Sequence, residues 1–269
     1  MLMQNQVSPL LTLTSDFGTQ DAYVAAMKGT ILRINPSVQM VDITHEIAPQ
    51  DIMEAAFVLR DVVPYFPAGT THLVVVDPGV GTERRPVAVL SGGHRFVGPD
   101  NGIFSLLLAD GEPDMAVVLD RKSCWLTENP NNTFHGRDIF APVAAHLASG
   151  LSLTEAGTLI DSLTRLRWAQ PLIDQEGMQG WVVHIDRFGN SISNISSSCF
   201  NEAARGRCFK CYVGNTILNA LSTTFADVSS GEPLIFFGNS GFLEIAVSSG
   251  NASELLGIRK GAPVNVVFS

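Results

Sequence analysis

His72-Leu73-Val74-Val75-Val76-Asp77 runs straight into Pro78-Gly79-Val80-Gly81-Thr82-Glu83-Arg84-Arg85. The first six residues form a nearly pure β-branched run, the pattern of a strand covered on both faces. The next eight form a glycine turn just past the C-terminal end of that strand, where open α/β sheets place their sites. Upstream, strand and helix signals alternate. Leu10–Thr14 reads as a strand, Ser15-Asp16-Phe17-Gly18 as a turn, and Asp21–Ile34 as a helix stopped by Asn35-Pro36. Val38–Thr44 is a strand and Asp51–Val63 a helix ended by Pro64. Downstream, Pro86–Leu90 and Arg95–Val97 read as a hairpin, Gly102–Ala109 as a helix, Met115–Leu119 as a strand and Asp138–Ala148 as a helix. This alternation predicts an α/β layer fold with a largely parallel central sheet.

The pattern changes after about Trp168. Short strands are predicted at Trp181–Ile185, Ser191–Ile195, Phe209–Val213, Leu234–Phe237, Leu243–Val247 and Val264–Phe268, with a helical turn at Ala252–Leu256. Turns rich in Gly, Asn and Ser separate them, as in a small β-barrel or sandwich. The expected division is an N-terminal α/β domain over residues 8–170 and a smaller C-terminal β-barrel domain over residues 171–269.

Composition narrows the function classes. The 269 residues are 45% hydrophobic and only 16% charged, enough apolar material for a full core. A net charge of −9 speaks against a nucleic-acid partner, which needs a basic face. No window reaches the about 18–20 apolar residues of a membrane span, and Met1–Leu11 lacks the features of a secretory signal. The four cysteines make no disulfide scaffold, and the Cys208/Cys211 pair has no histidine nearby to complete a zinc site. We expect small buried residues of a strand region there, and a soluble cytoplasmic protein overall.

Three segments carry candidate chemistry in the first half. Gly79-Val80-Gly81 has the first spacing of a dinucleotide fingerprint, but Arg84 replaces the third glycine and Pro86 leads into a strand. The turn then offers a carboxylate, Asp77, and a guanidinium, Arg84; a cation that close favours the charged carboxylate. The competing reading is a structural ion pair on a loop. Asp16, at another strand end, suits two ribose hydroxyls, or an N-cap or Asx turn. Thr133-Phe134-His135-Gly136-Arg137-Asp138 places His135 before a helix, as a general base or as a capping residue. His45, His72, His94, His146 and His184 read as structural. Gly98-Pro99-Asp100-Asn101-Gly102 reads as a tight connection.

In the second half, Ile185-Asp186-Arg187-Phe188-Gly189-Asn190 joins two strands. Asp186 offers a carboxylate to an ammonium group, Asn190 an amide to a base edge, and Phe188 a ring to a purine. An ordinary hairpin turn explains the same residues. Asn239-Ser240 lies in a similar turn, and Glu244 stands out in an otherwise apolar strand.

Taken together, SDFG, DPGVGTERR, GPDNG, TFHGRDIF, IDRFGN and LEIAV occur in this order from about Leu11 to Phe268. The chain therefore resembles the S-adenosyl-L-methionine hydrolases, or hydroxide adenosyltransferases, relatives of the adenosyl-fluoride and adenosyl-chloride synthases. The resemblance implies an N-terminal α/β domain, a C-terminal β-barrel, and homotrimers whose sites lie between subunits. It implies an Asp-Arg-His set at Asp77, Arg84 and His135 and a ribose-binding aspartate at Asp16. It further implies adenine and methionine contacts at Asp186, Phe188, Asn190, Asn239, Ser240, Glu244 and Val247. The halide-using relatives carry an aromatic residue in place of Asp77 and lack the arginine and histidine. A carboxylate at that point repels a halide but orients water. The expected reaction is water attack on ribose C5′ of S-adenosyl-L-methionine, giving adenosine and L-methionine. No cofactor and no metal are expected, because a neutral leaving group needs no Lewis acid. A non-catalytic adenosine-binding module and a halide-using adenosyl transferase are the alternatives.

Overall fold

The computed structural model describes residues 9–108, 111–166 and 170–269. Residues 1–8, Ala109 at the end of the expected helix, and Trp168 at the change of pattern lie outside the described residues. The chain divides into two compact units, with the division after Leu166.

The first unit is built on a seven-stranded mixed sheet. Its strands in chain order are β1 (Leu10–Ser15), β2 (Gln39–Thr44), β3 (Thr71–Val75), β4 (Pro86–Ser91), β5 (His94–Pro99), β6 (Met115–Val118) and β7 (Thr158–Leu159). They lie in the order β2-β1-β3-β5-β4-β6-β7. The pairings β2–β1, β1–β3 and β3–β5 are parallel. Those beyond β5 are antiparallel, so the sheet is mixed and its parallel half lies at one side. The helices are α1 (Tyr23–Ile34), α2 (Ile52–Val62), α3 (Ala141–Ala148) and α4 (Leu153–Ala156), with a π turn over Gly136–Phe140 leading into α3.

The all-apolar reading of β3 has a direct cause in this layering. Leu73 and Val75 face a core that holds Met27 and Ile31 of α1 and Val143 and Leu147 of α3. Val74 and Val76 face the opposite core, with Ala55 and Leu59 of α2 and Phe96 of β5. Both faces are covered, so neither parity of the strand can be polar. Each such side chain contributes roughly 1.5–3 kcal/mol by leaving water. Asp51 caps α2 by accepting from the Glu54 amide at 2.9 Å. The expected helix at Gly102–Ala109 is absent over its described part: residues 102–108 form successive turns. Gly102 sits at φ +96°, Ser105 Oγ accepts from Leu166 N at 2.8 Å, and Ile103, Phe104, Leu106 and Leu108 are all buried. So short a run does not recover the cost of helix nucleation once tertiary partners take its polar groups.

The second unit is an antiparallel, nearly closed barrel. Its strands are β8 (Leu172–Ile173), β9 (Gly177–Ile185), β10 (Ser191–Ser196), β11 (Phe209–Val213), β12 (Thr216–Leu218), β13 (Pro233–Phe237), β14 (Phe242–Val247) and β15 (Pro263–Phe268). The path is β12-β11-β15-β9-β10-β14-β13, with β8 on β9. Helix α5 (Ser197–Ala204), which the sequence pattern does not predict, is capped by Ser196 and closes on Arg205 at φ +48°; α6 (Ala252–Leu255) comes after β14. Cys211 lies in this unit's core, where burial pushes its thiol up to about 12, while Cys208 is exposed. Among the described residues, no helix is long and apolar enough to cross a membrane.

One buried polar chain marks the first sheet. Thr12 Oγ1 lies 2.8 Å from His72 Nδ1, and His72 Nε2 lies 3.2 Å from His94 Nδ1. Burial, and secondly His94, lower the His72 pKa to about 3. The unfolded chain therefore binds a proton here that the folded chain refuses, so this stability is intact above about pH 6.5 and is lost as pH falls. At pH 5 the loss from His72 alone is about 2 kcal/mol. Urea unfolding at pH 7 and pH 5 should show it, with a smaller pH difference in His72→Gln.

Candidate active site

Parallel strands bring the two acidic turns to one edge. Ser15 pairs with Val75 across β1 and β3, so Asp16 and Asp77, just beyond, leave the sheet on the same side. The Asp77 turn folds on itself. Val80 N donates to Asp77 O at 3.2 Å, Thr82 Oγ1 to Gly79 O at 2.7 Å, and Arg84 N to Thr82 Oγ1 at 3.4 Å. Gly81, at φ +79°, lies against the loop before His135. A Cβ there would come within 2.7 Å of the Asn132 carbonyl oxygen, so only glycine allows the approach.

That approach joins Asp77, Arg84 and His135. Arg84 Nε donates to both Asp77 oxygens at 2.9 Å, and Nη2 donates to Asp77 Oδ2. The second hydrogen of Nη2 goes to His135 Nδ1 at 2.8 Å. Only 9% of the Arg84 side chain and 6% of the Asp77 side chain are exposed. The guanidinium carbon stands 5.1 Å from the centre of the Phe140 ring. Nη1 is buried and has no hydrogen-bond partner among the described residues.

The directions of these bonds fix a protonation state. Arginine only donates, so Nδ1 of His135 must accept, and the neutral ring carries its hydrogen on Nε2. Burial and, next, the Arg84 cation lower the His135 pKa; Asp77 and Asp138 pull the other way, without reversing the shift. His135 opens the π turn Gly136–Phe140 and makes no side-chain cap, which leaves its ring for Arg84. Helix α3 starts at Ala141, not at the expected Asp138. Asp138 instead accepts from Asn131 N at 3.0 Å and from Arg137 Nε at 2.6 Å, bracing the same loop.

Asp16 is half-buried, and its Oδ2 accepts from Gln50 N at 2.8 Å. Gln50 holds φ +67°, a costly backbone conformation for a residue with a side chain. Asp100 and Asn101 have structural work. Asp100 takes Arg85 and the Thr164 amide, and Asn101 Nδ2 donates to Val76 O at 2.9 Å.

In the second unit, the Asp186 carboxylate is largely used by its own turn. Oδ1 accepts from Phe188 N at 2.9 Å and Asn190 N at 2.8 Å, and Oδ2 from Asn190 Nδ2 at 2.9 Å. Phe188 is 77% exposed, while Asn190 is buried. Glu244 is paired with Ile192 of β10 and Phe236 of β13, and its carboxylate lies over Gly238, where a Cβ would be 1.8 Å from Oε1. Asn239 is exposed, Ser240 half-buried, and the Val247 side chain is in the core. Sequence reasoning does not single out Gln50, Phe140 or His45 for the site. Only a positive φ or a three-dimensional contact marks them, and neither has a local sequence signal.

Residues 11–157 match the family model described as SAM hydroxide adenosyltransferase N-terminal domain, and residues 180–265 match the corresponding C-terminal domain. The chain is 38% identical over 262 residues to the (R)-S-adenosyl-L-methionine hydrolase of Salinispora tropica, covering 96% of this chain and 98% of that one. It is 40% identical over 261 residues to the protein of the same name from Thermus thermophilus, covering 94% and 97%. A crystal structure of an uncharacterized conserved protein from Thermotoga maritima superposes with a TM-score of 0.87 at 37% identity, covering 96% and 99%.

The imidazole of His135 should titrate below its ordinary value of 6.5 in an NMR pH series. Arg84→Ala should move that midpoint upward, because it removes a nearby cation and leaves Asp77 in place. An unchanged midpoint in a folded variant contradicts the Arg84–His135 bond.

Proposed function

This chain belongs to the SAM hydroxide adenosyltransferase family, and we propose that Asp77, Arg84 and His135 carry its reaction, the hydrolysis of S-adenosyl-L-methionine to adenosine and L-methionine. The observation that supports this assignment is the shared guanidinium, with Arg84 bonded at once to Asp77 and, at 2.8 Å, to His135.

The reaction is an in-line displacement at ribose C5′. The water oxygen forms a bond to C5′ as the C5′–S bond breaks. The bonding pair goes to sulfur, which becomes the neutral thioether of methionine, and the water gives up one proton to solvent per turnover. Asp77 Oδ1 takes one hydrogen bond from Arg84 Nε and has a further lone pair for the water. Arg84 Nη1, a buried donor without a partner among the described residues, is free to meet the negative charge that grows on the water oxygen. With Nδ1 engaged and the hydrogen on Nε2, His135 orients the water by donating and does not take its proton. Hydroxide attacking a sulfonium cancels charge, which a water-poor pocket favours. The Asp77 carboxylate repels a halide at the same point, which argues against the halide-using alternative.

Asp16 binds the ribose hydroxyls in this reading, with the lone pairs that Gln50 leaves open. The adenine and methionine ends fall to Asp186, Phe188, Asn190, Asn239, Ser240, Glu244 and Val247. The exposed ring of Phe188 supports stacking on the base. Val247 contributes through its backbone, since its side chain is in the core. No cofactor or metal takes part. The active species is a homotrimer with sites shared between subunits, in the cytoplasm, where free thiols such as exposed Cys208 stay reduced.

Turnover in water labelled with heavy oxygen should place the label in the adenosine 5′-hydroxyl; methylthioadenosine as product overturns the reading. Arg84→Ala and Asp77→Ala should lower kcat by about 10²–10³-fold while adenosine still binds. Full turnover in both variants removes the role assignments.

A further inference from the structure

Beneath the Asp16 turn runs a line of side chains drawn from three elements. Ser15, the last residue of β1, is fully buried, and its Oγ lies 2.7 Å from His45 Nδ1. On the other side of the ring, Nε2 lies 3.1 Å from Asp42 Oδ1 of β2, an ion-pair distance without hydrogen-bond geometry. Asp42 Oδ2 takes Lys28 Nζ of α1 at 2.5 Å. At the near end, Phe17 N reaches Ser15 Oγ at 3.4 Å.

The charges beside His45 favour one direction along this line. Asp42 is ionised: although burial alone would raise its pKa, Lys28 and His45 together bring it below the ordinary value. The Asp42 carboxylate beside Nε2 favours the His45 tautomer with its hydrogen on that atom. Nδ1 of that ring only accepts, so the Ser15 hydroxyl donates to it. The Ser15 oxygen is then left to accept from Phe17 N. The order Ser-His-Asp is that of a hydrolytic triad, but Ser15 has no exposed surface, so its oxygen meets no substrate.

The same segment grips the turn at two further points. The His45 carbonyl accepts from Gly18 N at 2.7 Å, and Gln50 N donates to Asp16 Oδ2 at 2.8 Å. Residues on both sides of Asp16 are thus tied to one imidazole residue, and its carboxylate to the end of the same loop. That loop is itself pinned where Asp51 caps α2.

We propose that His45 is a positioning residue for ribose recognition: held by Asp42 and Lys28, it fixes Ser15 and Gly18 and thereby aims the Asp16 carboxylate at the ribose diol. The proposal rests on the reading of Asp16 as the ribose ligand. A carboxylate that must accept from two adjacent hydroxyls at once gains from being aimed before the ligand arrives, because little ordering is left for binding to supply. The contacts of Ser15 and His45, both buried, supply that aim from beneath the turn.

The test uses the full chain with His45→Leu, Ser15→Ala, His45→Asn and Asp16→Ala, each checked for a native melting transition. KM and kcat for S-adenosyl-L-methionine are read beside inhibition by adenosine and by 2′,3′-dideoxyadenosine. His45→Leu and Ser15→Ala should raise KM about tenfold with kcat within about threefold, the effect of losing one aimed hydrogen-bonding group. The preference for adenosine over its dideoxy analogue should shrink by a similar factor, with the affinity for the analogue unchanged. His45→Asn, whose amide oxygen replaces Nδ1 as acceptor, should recover most of the loss. A merely structural role would weaken both nucleosides alike. If the preference survives in His45→Leu and Ser15→Ala but is lost in Asp16→Ala, the proposal is overturned and the ribose reading stands. If Asp16→Ala keeps the preference, the ribose reading falls and the proposal with it. Should His45→Leu fail to fold, Asp42→Asn, at a partly exposed position, must shift the preference in the same direction.

Discussion

A guanidinium held out of water between a carboxylate and a neutral imidazole sets the terms for the rest of the first unit. Arg84 has only donors and Asp77 only acceptors, so every hydrogen bond in the group has a single possible direction. That constraint dictates the histidine tautomer and the chemistry open to it. Removing one member of such a buried pair leaves an uncompensated charge, which commonly costs about 3–5 kcal/mol. The nearby elements are arranged to avoid that outcome. Gly81 lets two loops touch, the π turn aims His135 back toward the sheet, and Phe140 covers the flat side of Arg84.

The mixed sheet explains where this cluster stands. In its parallel half, neighbouring strands end at the same edge, so the turns after β1 and β3 are neighbours without any long excursion. The turn after β5, which is parallel to β3, leaves at that edge too, but its polar groups are spent on structure: Asp100 takes Arg85 and Asn101 donates to Val76 O. Acidic residues on similar-looking glycine turns at one edge thus take different roles because of the partners their side chains meet.

The second unit shows the reverse relation between motif and availability. Asp186 is the acidic residue its turn depends on, with Phe188 and Asn190 both donating to it. A carboxylate so engaged has less to offer a ligand than its position in the motif implies. Phe188, thrown outward by that turn, has most of its ring free. In the Ser15–His45–Asp42 line, too, groups that look reactive as a set are spent on holding a neighbour in place.

Residue order alone determines much of this protein. The strand at His72–Asp77, the alternation around it and the later run of short strands rest on local composition, because burial on two faces and glycine turns leave a one-dimensional trace; the grouping of Asp77, Arg84 and His135 comes from the resemblance of their motifs to a family. Other features leave none. Residues 102–108 have the composition of a helix but take turns, since Leu166 and the surrounding core claim their polar and apolar groups. Helix α5 is hidden because Ser197–Ala204 is short and half polar, with only Phe200 and Ala204 buried, and Phe200 packs among Phe209, Phe237 and Phe268. That Arg84 reaches His135, fifty-one positions away, and that His45 stands under Asp16, were decided by tertiary structure, because a hydrogen bond depends on distance and angle in space and not on separation along the chain.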